Sequence, residues 1–190
     1  MMKINFVEPD QPRSGAAVVG VWEDGVLTPS ARRLDEAAGG AISRAVAAAP
    51  RFKGKKDELL PILGAPNLSL SRIVLAGLGK PESIDARSLQ QLGGRLYAHL
   101  SGAGEEEATF AIEVGDASKI DQPQAAAEMA LGAQLRSYRF DKYKTKEKLD
   151  KKPTLSRLTV MTAAAAEAQR AYRPLEDTAD AVFSTRDLVS

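Results

Sequence analysis

Apolar runs and alternating segments recur along this chain of 190 residues. Ala16–Trp22 is apolar throughout, and Arg72–Leu75 (RIVL) runs on into Ala-Gly-Leu-Gly, a pattern typical of strands buried on both faces of a sheet. Shorter apolar or alternating segments predict four further strands, namely Lys3–Val7, Glu58–Leu63, Thr109–Val114 and Leu155–Met161. Pro61 lacks the N–H that a central strand donates, so its strand is predicted to lie near an edge of the sheet.

Between these strands, apolar residues recur at helical spacing. Ser30 is the predicted N-cap of the first helical stretch, and Gly39-Gly40 divides that stretch into two helices that meet at a bend. Three more helices are predicted, over Asp85–Leu100, Gln122–Tyr138 and Pro174–Val189. The last helix has no stop signal before Ser190, which predicts either a chain cut within its helix or a helix that leads into a second domain.

Strands that alternate with helices predict an α/β fold. Because several strands are uniformly apolar, we expect a mostly parallel or mixed sheet of about five to seven strands with helices on both faces. This is a three-layer α/β/α arrangement. The chain shows no internal repeat and no linker, so the pattern predicts one domain followed by a C-terminal helix.

The composition excludes several kinds of site. The chain has no cysteine, which rules out disulfides, thiolate zinc sites and cysteine nucleophiles. Its net charge of +1 gives no global field that would attract nucleic acid or an anionic membrane. Neither a secretory signal nor a run of about 20 apolar residues is present, and a cytoplasmic location without membrane contact is therefore expected.

The side chains that could carry hydrolytic or metal chemistry are few and scattered. His99 is the one histidine of the sequence, and it lies beside the apolar stripe of a predicted helix. Asp35 and Glu36 are adjacent on a helix and do not face each other. The run Glu105–Glu107 is interpreted as a solvated acidic loop. We therefore assign no catalytic, cofactor-binding or metal-ligating residue to this chain.

Two motifs leave a binding role open. Gly77–Lys80 follows a predicted buried strand, where α/β folds place ligands, but it lacks the third glycine of a dinucleotide loop and is interpreted as a tight turn. The segment Lys142–Lys152 carries six lysines near Tyr138 and Tyr143, a combination that can contact nucleic acid. Asp141, Glu147 and Asp150 dilute its charge, and a solvated loop is the simpler interpretation.

Four segments of the chain have a recognisable order, namely Gly20–Ala45, Arg72–Lys80 (RIVLAGLGK), Tyr138–Lys144 (YRFDKYK) and Phe183–Val189 (FSTRDLV). In register, they resemble the N-terminal domain of the leucyl (cytosol) aminopeptidases. The resemblance covers essentially the whole chain, and it rests on the order of the four segments, since each alone is only moderately specific.

The resemblance implies a macro domain-like N-terminal domain over residues 1–172 and a linker helix over residues 173–190 that leads to an absent catalytic domain. Relatives are cytoplasmic exopeptidases, and their catalytic domains hold two divalent metals, zinc or manganese. They assemble as hexamers mainly through those catalytic domains. The family's signature Asn-Thr-Asp-Ala-Glu-Gly-Arg does not occur here, and Glu176–Asp180 is only superficially similar to it. No catalytic position of the family maps onto this chain.

Three functions therefore remain open. The first is a non-catalytic assembly or regulatory domain of an aminopeptidase, which would meet peptide substrate only through the absent domain and whose partners would be that domain and sister subunits. The second is a macro-like module that binds ADP-ribose or a nucleotide near Gly77–Gly79, although the sequence lacks the Asn-rich loop typical of such modules. The third is a nucleic-acid-binding accessory domain that uses Lys142–Lys152.

Overall fold

A six-stranded sheet forms the centre of the molecule, as seen in a computed structural model that describes residues 2–138 and 154–189, with side chains to residue 185. The strands lie in the order β1-β6-β5-β2-β4-β3, and every pair is parallel except β3–β4. Their bounds are β1 Lys3–Val7, β2 Ala16–Trp22, β3 Leu59–Leu63, β4 Arg72–Gly79, β5 Glu107–Ala111 and β6 Arg157–Met161. The predicted mixed α/β sheet is confirmed.

The described residues form five α-helices, four between strands and the fifth after β6. Their bounds are α1 Pro29–Ala37, α2 Ala41–Ala48, α3 Ala86–Gly102, α4 Gln122–Ser137 and α5 Ala165–Val189. Short 3₁₀ turns span Glu23–Gly25 and Pro81–Ser83. None of the helices in this part of the chain is both long enough and apolar enough to span a bilayer.

Two apolar cores lie on the opposite faces of the sheet. The larger core packs α3, α4 and α5 against one face, with Phe110, Leu158 and Leu96 fully buried. The smaller core packs α1 and α2 against the other face, around Val19 and Leu75. Helices therefore cover both faces, as predicted, but the second face is covered mainly over β2, β4 and β3.

The helices α3 and α4 cross at very short range in the larger core. A Cβ on Gly132 would lie 2.0 Å from the carbonyl oxygen of Gln90, so only glycine allows the two backbones to approach this closely. The contact fixes the position of α4 against α3. Because α4 lies between β5 and β6, it also fixes the path of the chain between these two strands.

Several predicted boundaries are confirmed. The strand β2 is buried along almost its whole length, and β3, which contains Pro61, is an edge strand. Gly39 and Gly40 separate α1 from α2, as expected for a bend.

Other predicted boundaries are wrong. The cap of α1 is Thr28 rather than Ser30, because Pro29 already has the φ of a helix and begins it at the first helical position. The final helix begins at Ala165, not at Pro174. Pro174 is exposed within that helix, and Ala179 and Phe183 beyond it belong to the larger core. The strand predicted at Thr109–Val114 lies at Glu107–Ala111.

Candidate functional site

Gly77–Gly79 of the Gly77–Lys80 motif are the last residues of β4 rather than a tight turn, and Lys80 follows the strand. The N–H groups of Gly77 and Gly79 donate to carbonyl oxygens of the crossing segment 54–58, both at 2.8 Å. A Cβ on Gly77 would lie only 2.1 Å from the carbonyl oxygen of Lys55. Gly77 therefore leaves room for a neighbouring backbone, and the N–H groups of both glycines are not free to hold a phosphate.

Asp35 caps a helix. Its Oδ1 accepts hydrogen bonds from the backbone N–H groups of Ile42 at 2.7 Å and Ser43 at 3.1 Å, at the start of α2. Glu36 beside it is exposed. The two carboxylates thus do not form a site, which agrees with their adjacent helical positions.

The run Glu105–Glu107 is not the solvated acidic loop that the sequence suggested. Glu105 is only 7% exposed, and its Oε1 lies 2.5 Å from Nε of Arg72. Glu107 begins β5 and pairs with Arg157 at 2.7 Å, and Glu106 alone of the three is exposed. Glu105 thus joins the connection before β5 to β4, and Glu107 joins β5 to β6, both at the amino ends of the strands.

His99 lies half-buried on α3, with its Nε2 buried and without a hydrogen-bond partner in the described part of the chain. Burial lowers the pKa of His99, and the positive charge of Arg72 lowers it further. Nothing around this imidazole resembles a nucleophile or a set of metal ligands, since no three His, Asp or Glu side chains converge within the described residues.

The lysine-rich segment Lys142–Lys152 lies outside the described residues. Tyr138, which precedes it, stacks on Phe183 of α5 with ring centroids 4.9 Å apart. The proposed nucleic-acid contact therefore stays a prediction.

A groove that the sequence did not indicate lies between α1 and the loop 9–12. It has a volume of about 310 Å³, and Val19 of β2 and Ala111 of β5 line it together with Leu34 and Ala37 of α1. Its polar lining residues are Asp10, Gln11, Ser30 and Arg33. The loop was recognisable from its prolines, but the groove depends on strand order, which no local pattern reveals.

Comparisons with known proteins agree on one family. The model of the cytosol aminopeptidase family, N-terminal domain, matches residues 18–147. A probable cytosol aminopeptidase from Caulobacter vibrioides is 35% identical over 191 residues, covering 100% of this chain and 37% of the relative. One from Gluconobacter oxydans is 39% identical over 160 residues, covering 83% of this chain and 30% of the relative. The chain therefore spans little more than a third of these relatives.

Solved structures show the same fold. A tomato leucine aminopeptidase mutant matches with a TM-score of 0.79 at 22% identity, covering 100% of this chain and 38% of that one. The bottromycin maturation enzyme BotP matches with a TM-score of 0.64 at 19% identity, covering 92% and 32%. The likeness to macro domains stays a prediction. With a family model that matches more than half of its residues and a relative aligned along its whole length, this chain belongs to the cytosol aminopeptidase family, as the N-terminal domain.

Proposed function

We propose that this chain is the non-catalytic assembly or regulatory domain of a cytosolic leucyl aminopeptidase. One observation carries the proposal: the whole chain aligns with only 37% of a curated relative, and the family model that matches it is that of the N-terminal domain. The remaining part of such a protein would hold the catalytic domain, with its metals, and would meet the peptide.

The distribution of side chains supports a domain without its own chemistry. A two-metal peptidase needs several carboxylates that converge from rigid elements on the two ions. Here Asp35 caps α2, Glu105 and Glu107 pair with arginines, and the described residues do not fit such a site. No metal-dependent step is therefore assigned to this chain.

The partners follow from the same proposal. They are the catalytic domain of the same protein and sister subunits, in a homo-hexamer located in the cytoplasm. The ADP-ribose alternative is not adopted, since the N–H groups of Gly77 and Gly79 are already bonded to backbone carbonyl groups.

The test is hydrolysis of leucine p-nitroanilide by the purified chain, with manganese or zinc present and host peptidases removed. We expect no release of chromophore above the buffer rate. Turnover that follows the chain through purification, and that disappears on Asp35→Asn or Glu106→Gln substitution, would show that the domain is itself catalytic.

A further inference from the structure

The groove beside α1 arises from the order of the strands. After β2 the chain turns to α1 on one face of the sheet, whereas after β5 it turns to α4 on the opposite face. Since β2 and β5 are neighbours, their carboxyl ends form a topological switch point, the place where open α/β sheets bind ligands. On this face α1 leaves β5 uncovered, and the loop 9–12 forms the other wall of the groove.

The floor of the groove is apolar and small. Val19 pairs with Ala111 across the two central strands, and both side chains are almost fully buried. The apolar lining that stays at least partly exposed is that of Pro9 and Pro12 on the loop and of Ala37 on α1. A volume of about 310 Å³ falls at the lower end of the range of ligand pockets, which suits one small apolar group.

A positioned cation lies on the α1 wall. The Nη2 of Arg33 donates to Oγ of Ser30 at 2.7 Å and lies 3.5 Å from Oε1 of Glu113. Glu113 also accepts from the backbone N–H of Ser30 at 3.0 Å and from its hydroxyl, at the N-terminus of α1, where the helix dipole offsets its charge. The Nε and Nη1 of Arg33 make no hydrogen bond within the described residues, so the guanidinium retains donors for a carboxylate.

A carboxylate lies on the facing wall. Asp10 lines the groove from the loop 9–12, where its Oδ1 accepts a hydrogen bond from the backbone N–H of Gln11 at 2.8 Å. Its ion pair with Arg13 is long, at 3.6 Å, and both side chains are more than half exposed, so this contact holds Asp10 only weakly. The groove thus presents a cation on one wall, an anion on the other and an apolar floor between them.

We propose that this groove binds a free apolar α-amino acid. The carboxylate of the ligand meets Arg33 and its ammonium group meets Asp10. Its side chain packs against Pro9, Pro12 and Ala37. A zwitterion matches both walls, whereas a ligand with a single charge leaves one of them unpaired.

The first experiment titrates the intact chain with L-leucine and follows the backbone amide resonances by NMR. We expect saturable shifts confined to residues of α1, the loop 9–12 and β5. The same side chain with only one charge is supplied by 3-methylbutanoate and by 3-methylbutylamine, and each should bind about tenfold more weakly or worse, since each loses one charge-assisted contact.

Variants test whether leucine binds in the groove rather than elsewhere on the surface. Arg33→Gln and Asp10→Asn should each weaken leucine binding about tenfold or more, and Ala37→Leu should abolish it by filling the groove. Ala47→Leu, on an exposed position of α2 outside the groove, is the matched control and should bind as the wild type does. Melting curves verify that each variant is folded.

The proposal is overturned if leucine gives no saturable shift at millimolar concentration, if the single-charge probes bind as well as leucine, or if Ala37→Leu binds unchanged. Tighter binding of leucyl-leucine than of leucine would also contradict it. All of these are binding measurements on the chain without any peptidase reaction, so their outcome is independent of the proposed function.

Discussion

At the scale of single residues, the carboxyl end of β4 shows how one missing side chain determines a local structure. Gly77 lies where the segment 54–58 crosses the strand, and its N–H donates to the carbonyl oxygen of Glu58 at 2.8 Å. Any Cβ there would lie 2.1 Å from the carbonyl oxygen of Lys55, well inside van der Waals contact. Backbone rather than a flexible side chain is in the way, so the clash cannot be relieved by a change of rotamer.

Replacing this glycine should therefore be costly. We expect Gly77→Ala to lower the free energy of unfolding by about 2–4 kcal/mol, in the range of overpacking that shifts backbone. Gly102→Ala is the matched control, since a Cβ on Gly102 of α3 would meet no atom within 4 Å, and alanine there should be neutral or slightly stabilising. Urea titration measures the free energy of unfolding of both variants. Equal effects would contradict the close contact between Gly77 and the segment 54–58.

His99 makes the stability of the domain depend on pH. Burial, and then the charge of Arg72, lower the pKa of His99 below its ordinary value of 6.5, so the folded state favours the neutral imidazole. As the pH falls below about 6.5, the unfolded chain binds a proton more readily than the folded chain, and stability is lost.

We expect His99→Gln to remove this part of the pH dependence. Wild type and variant should be compared by urea titration at pH 8, where the histidine is neutral in both states, and at several lower values down to pH 5. As the pH falls, the free energy of unfolding of the wild type should decrease more than that of the variant. A difference that stays constant over this range would show that His99 does not titrate differently on folding.

At the scale of the elements, a buried ion pair ties the start of β4 to the connection between α3 and β5. Glu105 accepts from Nε of Arg72 at 2.5 Å and from Oγ of Ser71 at 2.6 Å, and Arg72 also donates to the carbonyl oxygen of Ala103 at 3.3 Å. Removing one member of a buried ion pair leaves the charge of its partner buried without an opposite charge.

We expect Glu105→Gln to destabilise the domain by about 2–4 kcal/mol. Glu107→Gln is the control, because that carboxylate also pairs with an arginine but at a more exposed position, and it should cost clearly less. Thermal unfolding followed by circular dichroism distinguishes them. A larger loss of stability for Glu107→Gln than for Glu105→Gln would contradict the role assigned to the Glu105–Arg72 ion pair.

The elements also show which parts of the fold the sequence could predict. The uniformly apolar Ala16–Trp22 indicated a central strand, because a strand buried on both faces needs apolar residues at every position. Pro61 indicated an edge strand, because proline has no N–H to donate to a neighbouring strand. Pro174 was expected to begin a helix, but it lies within α5. Residues after Pro174 pack in the larger core, and this tertiary contact outweighs the local preference of proline.

The contacts between distant segments were not predictable in the same way. The interpretation of Glu105 as a solvated residue was wrong because its partner Arg72 lies on β4, far from it along the chain. The groove between α1 and the loop 9–12 likewise depends on β2 and β5 being neighbours in the sheet. Spacing along one segment carries no information on such pairings.

At the scale of the whole molecule, the chain has an α/β core of its own and matches only part of the length of its relatives. The sheet has helices on both faces, and the carboxylates of Asp35 and Glu105 are used for a helix cap and an ion pair. The chain aligns along its whole length with about a third of an aminopeptidase relative. Under the proposed function, such a domain would act on a catalytic domain through contact rather than through chemistry.

A domain exchange tests this expectation most directly. In the Caulobacter vibrioides relative, the segment aligned with this chain is replaced by this chain, and a variant that lacks the segment is the control. We predict that the exchanged protein keeps the oligomeric size of the parent and most of its hydrolysis of leucine p-nitroanilide, whereas the deletion variant loses both. An exchanged protein that assembles and reacts no better than the deletion variant, although this chain by itself melts cooperatively, would contradict the proposed role.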